Sequence, residues 1–297
     1  MEVSGRFATL SYVSEQNSEI IEPFSSVAPL PEPVEPRPNN PPWGVGIAVG
    51  VWLLSVALII FVPALFLAPY ALTRANIGDT AELIKALSTD PLAIALQILA
   101  IIPAHLLTLG LAWLVVTEGR KFSFTKMLGW RTGGTQWWHY AAIIAGFFLL
   151  AVVVGSIMPQ EENEMMRILR SSRYAVFLVA FMAVVTAPLV EEVVYRGLLY
   201  SALQRKLGVG LAVAVVTGLF ALVHLPQYYP SVSTMILLTL LSLVLTLVRV
   251  KSDNLLPCII LHTLFNGVQS VLLIAEPYLK IDSTAEDAVS ALFIYLK

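Results

Sequence analysis

Seven long apolar runs dominate the chain after Trp43, and they lie near residues 44–69, 91–117, 137–158, 174–197, 211–229, 232–248 and 255–275. A helix needs about 20 apolar residues to cross the hydrocarbon layer of a bilayer. Only helices and closed barrels satisfy their backbone hydrogen bonds in lipid. The pattern therefore predicts an all-α fold, a polytopic transmembrane helical bundle of about seven to eight helices.

The first 42 residues have a different character, because the stretch PLPEPVEPRPNNPPW is dense in proline. Such a segment buries too little apolar area to offset the entropy lost on ordering. We expect residues 1–42 to form a disordered Pro-rich tail, with no signal peptide, and residues 43–297 to form the bundle. The final stretch, AEDAVSALFIYLK, is too short to cross and is expected to lie on the membrane surface.

The composition supports a membrane protein. Hydrophobic residues make up 57% and charged residues 13% of the chain, and the mean hydropathy is +0.79. Soluble domains carry about 25% charged residues, so an ordinary soluble enzyme is excluded. The net charge of −2 gives no excess of basic residues that would bind nucleic acid. Cys258 is the sole cysteine, which excludes an internal disulfide and predicts a packing role.

The distribution of Lys and Arg between the predicted loops sets the expected orientation. The side that carries the amino terminus has ten of these residues, and the opposite side has seven. This bias favours a cytoplasmic amino terminus. We expect a multi-pass protein of the plasma (inner) membrane.

Glu191 and Glu192 are the two carboxylates inside the apolar runs. A charged group in a bilayer costs several kcal/mol on insertion scales, so each needs a compensating partner. Arg196 lies four positions after Glu192, on the same helix face, and is expected to pair with it. Glu191 points about 100° away from that face and is left for another partner.

Two histidines, His224 and His262, lie in later spans, and Asn266 follows His262 by four residues on one helix face. The stop signal at Gly208 predicts a helical hairpin. Glu191 is 17 residues before Gly208 and His224 is 16 after it, so both are expected at one level across the hairpin. His262 reaches that level if the turn projects about nine residues of helix beyond the membrane.

The expected site would be reached from the cytoplasmic side. We also expect Pro226, just past His224, to break the fifth span where a cavity opens.

This set of side chains suits attack of water on a carbonyl. A carboxylate facing an imidazole can deprotonate water, and an imidazole with an amide can donate to an oxyanion. One Glu with two His would equally satisfy a catalytic zinc site, with Glu191, His224 and His262 as ligands. Glu, His and Arg also form proton relays in transporters. The residues alone leave these alternatives open.

Three spaced motifs occur in order on three predicted spans: EExxxR at 191–196, FxxxH at 220–224 and HxxxN at 262–266. Together they resemble the CPBP (Abi) family, which includes type II CAAX prenyl proteases and bacteriocin-processing or bacteriocin-immunity proteins. The resemblance covers about residues 115–275. It implies an intramembrane endopeptidase, of a kind described both as a glutamate protease and as metal-dependent.

The resemblance also implies roles for individual residues. Glu191 and His224 would activate the water, and His262 with Asn266 would form the oxyanion site. No cofactor is required by this mechanism, although a divalent metal such as Zn is possible. The expected substrate is a peptide or the carboxy terminus of a prenylated protein, next to membrane lipid and without nucleic acid.

Glu192, Arg196 and Phe220 are expected to support the site, although an aromatic four residues before a histidine is also typical of packing. His105 and His139 belong to no motif and are expected to be structural, His139 within an interfacial aromatic cluster. The acidic run at 161–164 is expected to be a solvated loop. The alternative functions are a non-catalytic scaffold or immunity protein and a proton-coupled transporter.

Overall fold

The computed structural model describes residues 36–73, 79–158, 161–275 and 278. The described chain is helical, and its helices are α1 (Val45–Thr73), α2 (Thr80–Thr89), α3 (Pro91–Thr117), α4 (Phe124–Leu128), α5 (Trp137–Ile157), α6 (Glu164–Ser171), α7 (Arg173–Leu207), α8 (Val209–Tyr228), α9 (Val232–Ser252) and α10 (Leu256–Ala275). The short helices α2, α4 and α6 lie in the connections between the long ones.

Within the described residues, seven helices are long and apolar enough to cross a membrane: α1, α3, α5, α7, α8, α9 and α10. They coincide with the seven apolar runs of the sequence, with boundaries that differ by a few residues at most positions. The predicted all-α transmembrane bundle is confirmed, and the protein is a multi-pass integral membrane protein.

Helix α7 is longer than its apolar run and is irregular. Its 35 residues would measure about 52 Å as a regular helix, well beyond the ~30 Å hydrocarbon layer. It contains two π-helical segments, Met182–Thr186 and Val193–Leu199. Such segments are rare and are frequently found at functional sites. The six residues between them include both glutamates of the first motif.

The core of the bundle surrounds the second half of α7. All residues from Glu192 to Leu203 are buried, and they pack against side chains of α1, α3 and α8. Helix α10 packs along the first half of α7. Helix α7 ends at Leu207, and Gly208 follows with a φ of 81°, so the stop signal read from the sequence is confirmed.

The described chain begins at residue 36, within the predicted tail. Residues 37–40 form a turn closed by backbone hydrogen bonds, and Trp43 is buried with its indole N–H donating to the Leu198 carbonyl at 3.2 Å. Gln204 and Arg249 donate to backbone carbonyls of the same turn. Residues 1–35, which hold most of the predicted tail, and the final segment 285–297 lie outside the described residues.

The expectation about Pro226 was wrong. Helix α8 continues through Pro226 to Tyr228, and the Tyr229 N–H donates to the Leu225 carbonyl at 2.9 Å. A proline two residues before the end of a helix removes one hydrogen bond without ending the helix.

Gly133 and Gly134 provide a matched test of how the loop before α5 packs. Both have positive φ angles, 58° and 80°. A Cβ on Gly133 would lie 2.6 Å from the Ser252 carbonyl oxygen, whereas a Cβ on Gly134 would meet nothing within 4 Å. Each alanine carries the left-handed backbone cost of about 1–2 kcal/mol. We expect Gly133→Ala to lower the melting temperature in detergent by several degrees more than Gly134→Ala; equal shifts would contradict the packing.

Candidate active site

The Glu192–Arg196 pair lies at the centre of the site. Its Oε1 and Nη1 atoms are 2.8 Å apart, and both side chains are completely buried. The other guanidinium nitrogens donate to α9: Nη2 to the Ser242 carbonyl and hydroxyl at 2.9 and 2.8 Å, and Nε to the Thr246 hydroxyl at 3.3 Å. The Arg196 cation also lies 4.8 Å from the centre of the Phe220 ring. These contacts offset part of the desolvation that buried charges suffer, while Oε2 of Glu192 has no hydrogen-bond partner among the described residues.

His262 on α10 joins the two glutamates. Its Nδ1 is 2.8 Å from Glu192 Oε1, and its Nε2 is 3.8 Å from Glu191 Oε2. Because Arg196 holds Glu192 as a carboxylate that only accepts hydrogen bonds, His262 donates through Nδ1. The Glu191 side chain is 22% exposed, whereas Glu192 is fully buried. Glu191 is therefore the carboxylate of this pair that a small molecule can reach.

His224 on α8 is oriented by its own helix. Its Nδ1 lies 2.7 Å from the Phe220 carbonyl oxygen. A carbonyl only accepts hydrogen bonds, so Nδ1 carries the proton and Nε2 of the neutral ring carries a lone pair. The Phe220 ring lies 4.6 Å from the His224 ring and 6.3 Å from the His262 ring, centre to centre. Phe220 thus contacts both imidazoles, and Nε2 of His224 has the form that a base requires.

Asn266 on α10 donates through Nδ2 to the Ala183 carbonyl of α7 at 2.7 Å. In the first π segment the Ala187 N–H donates to Met182, five residues back. The next donor in that register would be residue 188, which is a proline without an N–H. Asn266 therefore supplies the donor that Pro188 lacks at Ala183. One amide hydrogen is committed to the backbone, which the sequence did not predict.

The structure brings together the predicted site residues through a chain of contacts on α7, α8 and α10: Glu191, Glu192, Arg196, Phe220, His224 and His262. The predicted Glu192–Arg196 pair and the shared face of His262 and Asn266 toward α7 are present. Glu191 contacts His262, and His224 joins the cluster through Phe220. The direct facing of Glu191 and His224 across the hairpin stays a prediction.

Two sets of contacts at the site were not predicted from the sequence. Ser242 and Thr246 of α9 hold Arg196, and their spacing of four residues in an apolar span was the available signal. His105 of α3 is buried, and its Nδ1 lies 2.9 Å from the Thr186 hydroxyl of α7, beside the site. No pattern in the sequence connects His105 with residues 81 positions later.

The other single residues have the places expected from the sequence. His139 accepts the Gln136 N–H at the start of α5 and stacks on Trp138. Cys258 is buried, with its thiol 3.4 Å from the Leu245 carbonyl oxygen. Both positions are consistent with structural roles.

The donor atoms of the site bear on the zinc alternative. Among the described residues there is no group of three or more His, Cys, Asp or Glu side chains arranged to hold a metal ion. Nδ1 of His262 lies at Glu192 Oε1 and Nδ1 of His224 lies at the Phe220 carbonyl, so Nε2 is the ring atom of each that could hold a metal. The zinc arrangement of Glu191, His224 and His262 stays a prediction, and no step of the chemistry below passes through a metal.

Comparison with known families bears on the segment that carries this cluster. Residues 173–268 match a family model described as type II CAAX prenyl endopeptidase Rce1-like. The segment that holds the site is therefore similar to this family, over about a third of the chain; we call it the Rce1-like segment. This confirms the resemblance to the CPBP family. No curated protein and no solved structure matches the chain. The Rce1-like segment contains all three motifs, and His105 lies outside it.

Arg196 offers a test of the buried pair. Arg196→Met leaves Glu192 as an unpaired buried charge, so we expect a loss of about 3–5 kcal/mol in stability. The double variant Glu192→Gln/Arg196→Met should recover part of that loss, because both charges are gone. Arg170→Met is the control, since Arg170 pairs with Glu162 on an exposed surface at 2.9 Å. Thermal unfolding in detergent measures each effect; a similar loss in Arg170→Met and Arg196→Met would contradict the role of the pair.

Proposed function

We propose that this protein is an intramembrane endopeptidase in which Glu191 and His224 activate a water molecule for hydrolysis of a peptide bond. The observation that carries the proposal is the partly exposed Glu191, held beside a fully buried ion pair and the His262 imidazole. The Rce1-like match of the same segment supports a protease.

The chemistry begins with proton transfer from water to Glu191 or to the lone pair on Nε2 of His224. The hydroxide formed attacks the carbonyl carbon, and the carbonyl π electrons move to oxygen. When the tetrahedral intermediate collapses, the C–N bond breaks and the proton passes to the leaving amine. One peptide bond and one water thus become a carboxylic acid and an amine.

His262 and Asn266 are the proposed donors to the developing oxyanion. His262 already donates through Nδ1 to Glu192, so donation from Nε2 uses the doubly protonated ring, which lies between Glu192 and Glu191. Asn266 keeps a second amide hydrogen after donating one to Ala183. Glu192 and Arg196 hold His262 in place, and Phe220 packs between the elements that carry the imidazoles.

The family description favours the carboxy terminus of a prenylated protein as the substrate class. A site between membrane helices suits a substrate with one lipid-soluble end, because the lipid chain can stay in the bilayer while the peptide reaches Glu191. A peptide without a lipid, processed from the bilayer, is the second substrate class of the proposal. The proposed location is the plasma (inner) membrane, with the amino terminus on the cytoplasmic side.

Glu191→Gln tests the assignment of the base. The amide keeps the shape of the side chain but cannot take a proton, so we expect at least a ~100-fold loss of rate. The assay follows cleavage of a prenylated peptide and of the same peptide without its lipid, with products identified by mass spectrometry. Glu162→Gln, in an exposed loop pair, is the control and should keep the wild-type rate.

Two results would count against the proposal. Full activity in Glu191→Gln would remove Glu191 from the mechanism. No cleavage of either peptide by the wild-type protein would favour a scaffold or a proton-coupled transporter, and proton flux in proteoliposomes separates those two.

Chelator treatment tests the metal-free chemistry. The proposed chemistry uses Glu191 and His224 to activate water, so we expect the purified protein to keep its activity after incubation with a strong zinc chelator and dialysis. Loss of activity that added Zn²⁺ restores would show that a metal takes part.

A further inference from the structure

His105 stands apart from the family segment yet touches the helix that carries the site. It lies on α3, 6% exposed, outside residues 173–268. Its Nδ1 is 2.9 Å from the Thr186 hydroxyl of α7. A buried imidazole in an apolar span is costly unless it is hydrogen-bonded, so this contact is a specific one.

The direction of this hydrogen bond follows from the chemistry of Thr186. The Thr186 hydroxyl donates to the Met182 carbonyl at 3.4 Å, within its own helix. Its lone pair is then left for an incoming donor, and the partner at that position is His105 Nδ1. His105 therefore donates to Thr186 from a different helix and anchors that residue to α3.

Thr186 is the last residue of the first π segment. The backbone hydrogen bonds of a regular α-helix do not hold this segment in place. Pro188 removes a donor from the segment, and Asn266 of α10 replaces it at the Ala183 carbonyl. The segment is thus held from two directions, by Asn266 from α10 and by His105 from α3.

The π segment determines where Glu191 points. A π segment inserts one extra residue into a helix relative to α-helical register. If Met182–Thr186 relaxed to α-helical bonding, the residues after it would turn by about 100° about the axis. Glu191 lies five residues after Thr186, so its carboxylate would turn away from His262.

We propose that His105 is a positioning residue, which fixes Thr186 and thereby the π segment that directs Glu191 toward His262. His105 does not touch the reacting atoms in this scheme. Through His105, helix α3, which lies outside the Rce1-like segment, helps to position Glu191. The kinetic part of the test rests on the proposed function, and the labelling part does not.

The kinetic test compares four variants on the prenylated peptide. His105→Leu and Thr186→Val each remove one side of the hydrogen bond, and we expect kcat to fall at least ~10-fold with KM changed less than about twofold. The double variant should be no worse than either single one. His105→Asn keeps a donor near the place of Nδ1 and should restore most of kcat. Equal kcat in His105→Leu and wild type would overturn the proposal.

Thr108→Val is the matched control. Thr108 lies one turn after His105 on α3, is fully buried, and bonds only to the Ala104 carbonyl of its own helix among the described contacts, at 2.9 Å. This variant tests whether the loss of any buried polar group on α3 lowers kcat. A comparable fall in kcat in Thr108→Val would also overturn the proposal.

Labelling of Glu191 by a hydrophobic carbodiimide, mapped by mass spectrometry, gives a readout independent of catalysis. We expect the labelling rate to change at least ~threefold in His105→Leu and Thr186→Val and to stay at the wild-type value in Thr108→Val. Unchanged labelling in the first two would end the positioning role. If His105→Leu fails to fold, Thr186→Val decides. Altered labelling in a protein that cleaves nothing would keep this role and reject the protease.

Discussion

The cost of burying charge in an apolar bundle shapes the centre of this protein. Glu192 and Arg196 have no contact with solvent, and their stability depends on each other and on groups brought by α9 and α10. Ser242 and His262 are therefore needed at fixed places. The contacts of this buried pair also fix the imidazole that contacts Glu191. Stability and the geometry of the site share the same contacts.

The two neighbouring glutamates of α7 have different surroundings: one is buried in a structural ion pair, and the other is partly exposed at the proposed site of chemistry. They are neighbours in the chain, so their side chains leave α7 about 100° apart. Glu192 turns into the core, where it binds Arg196 and His262. Glu191 keeps partial exposure and approaches His262 from the other ring nitrogen. An adjacent pair of acids in one membrane helix thus supplies both a structural anion and an accessible one.

The irregular stretches of α7 have a physical cause that can be traced to individual residues. Pro188 cannot donate a backbone hydrogen bond, and the π segment before it is maintained by side chains from α3 and α10. After the glutamates, the second π segment is buried along its whole length, and Trp43 donates to one of its carbonyls. Side chains from distant parts of the chain here replace backbone donors.

The apolar runs alone determined the helical bundle and its spans, because a chain in lipid must satisfy its own backbone hydrogen bonds. The spacing of four residues between Glu192 and Arg196 and between His262 and Asn266 determined which side chains share a face. Tertiary structure decided the rest: the π segments, the groups of α9 that hold Arg196, and the place of His105. Helical periodicity reports neighbours within a few residues, whereas contacts between helices depend on how the helices pack.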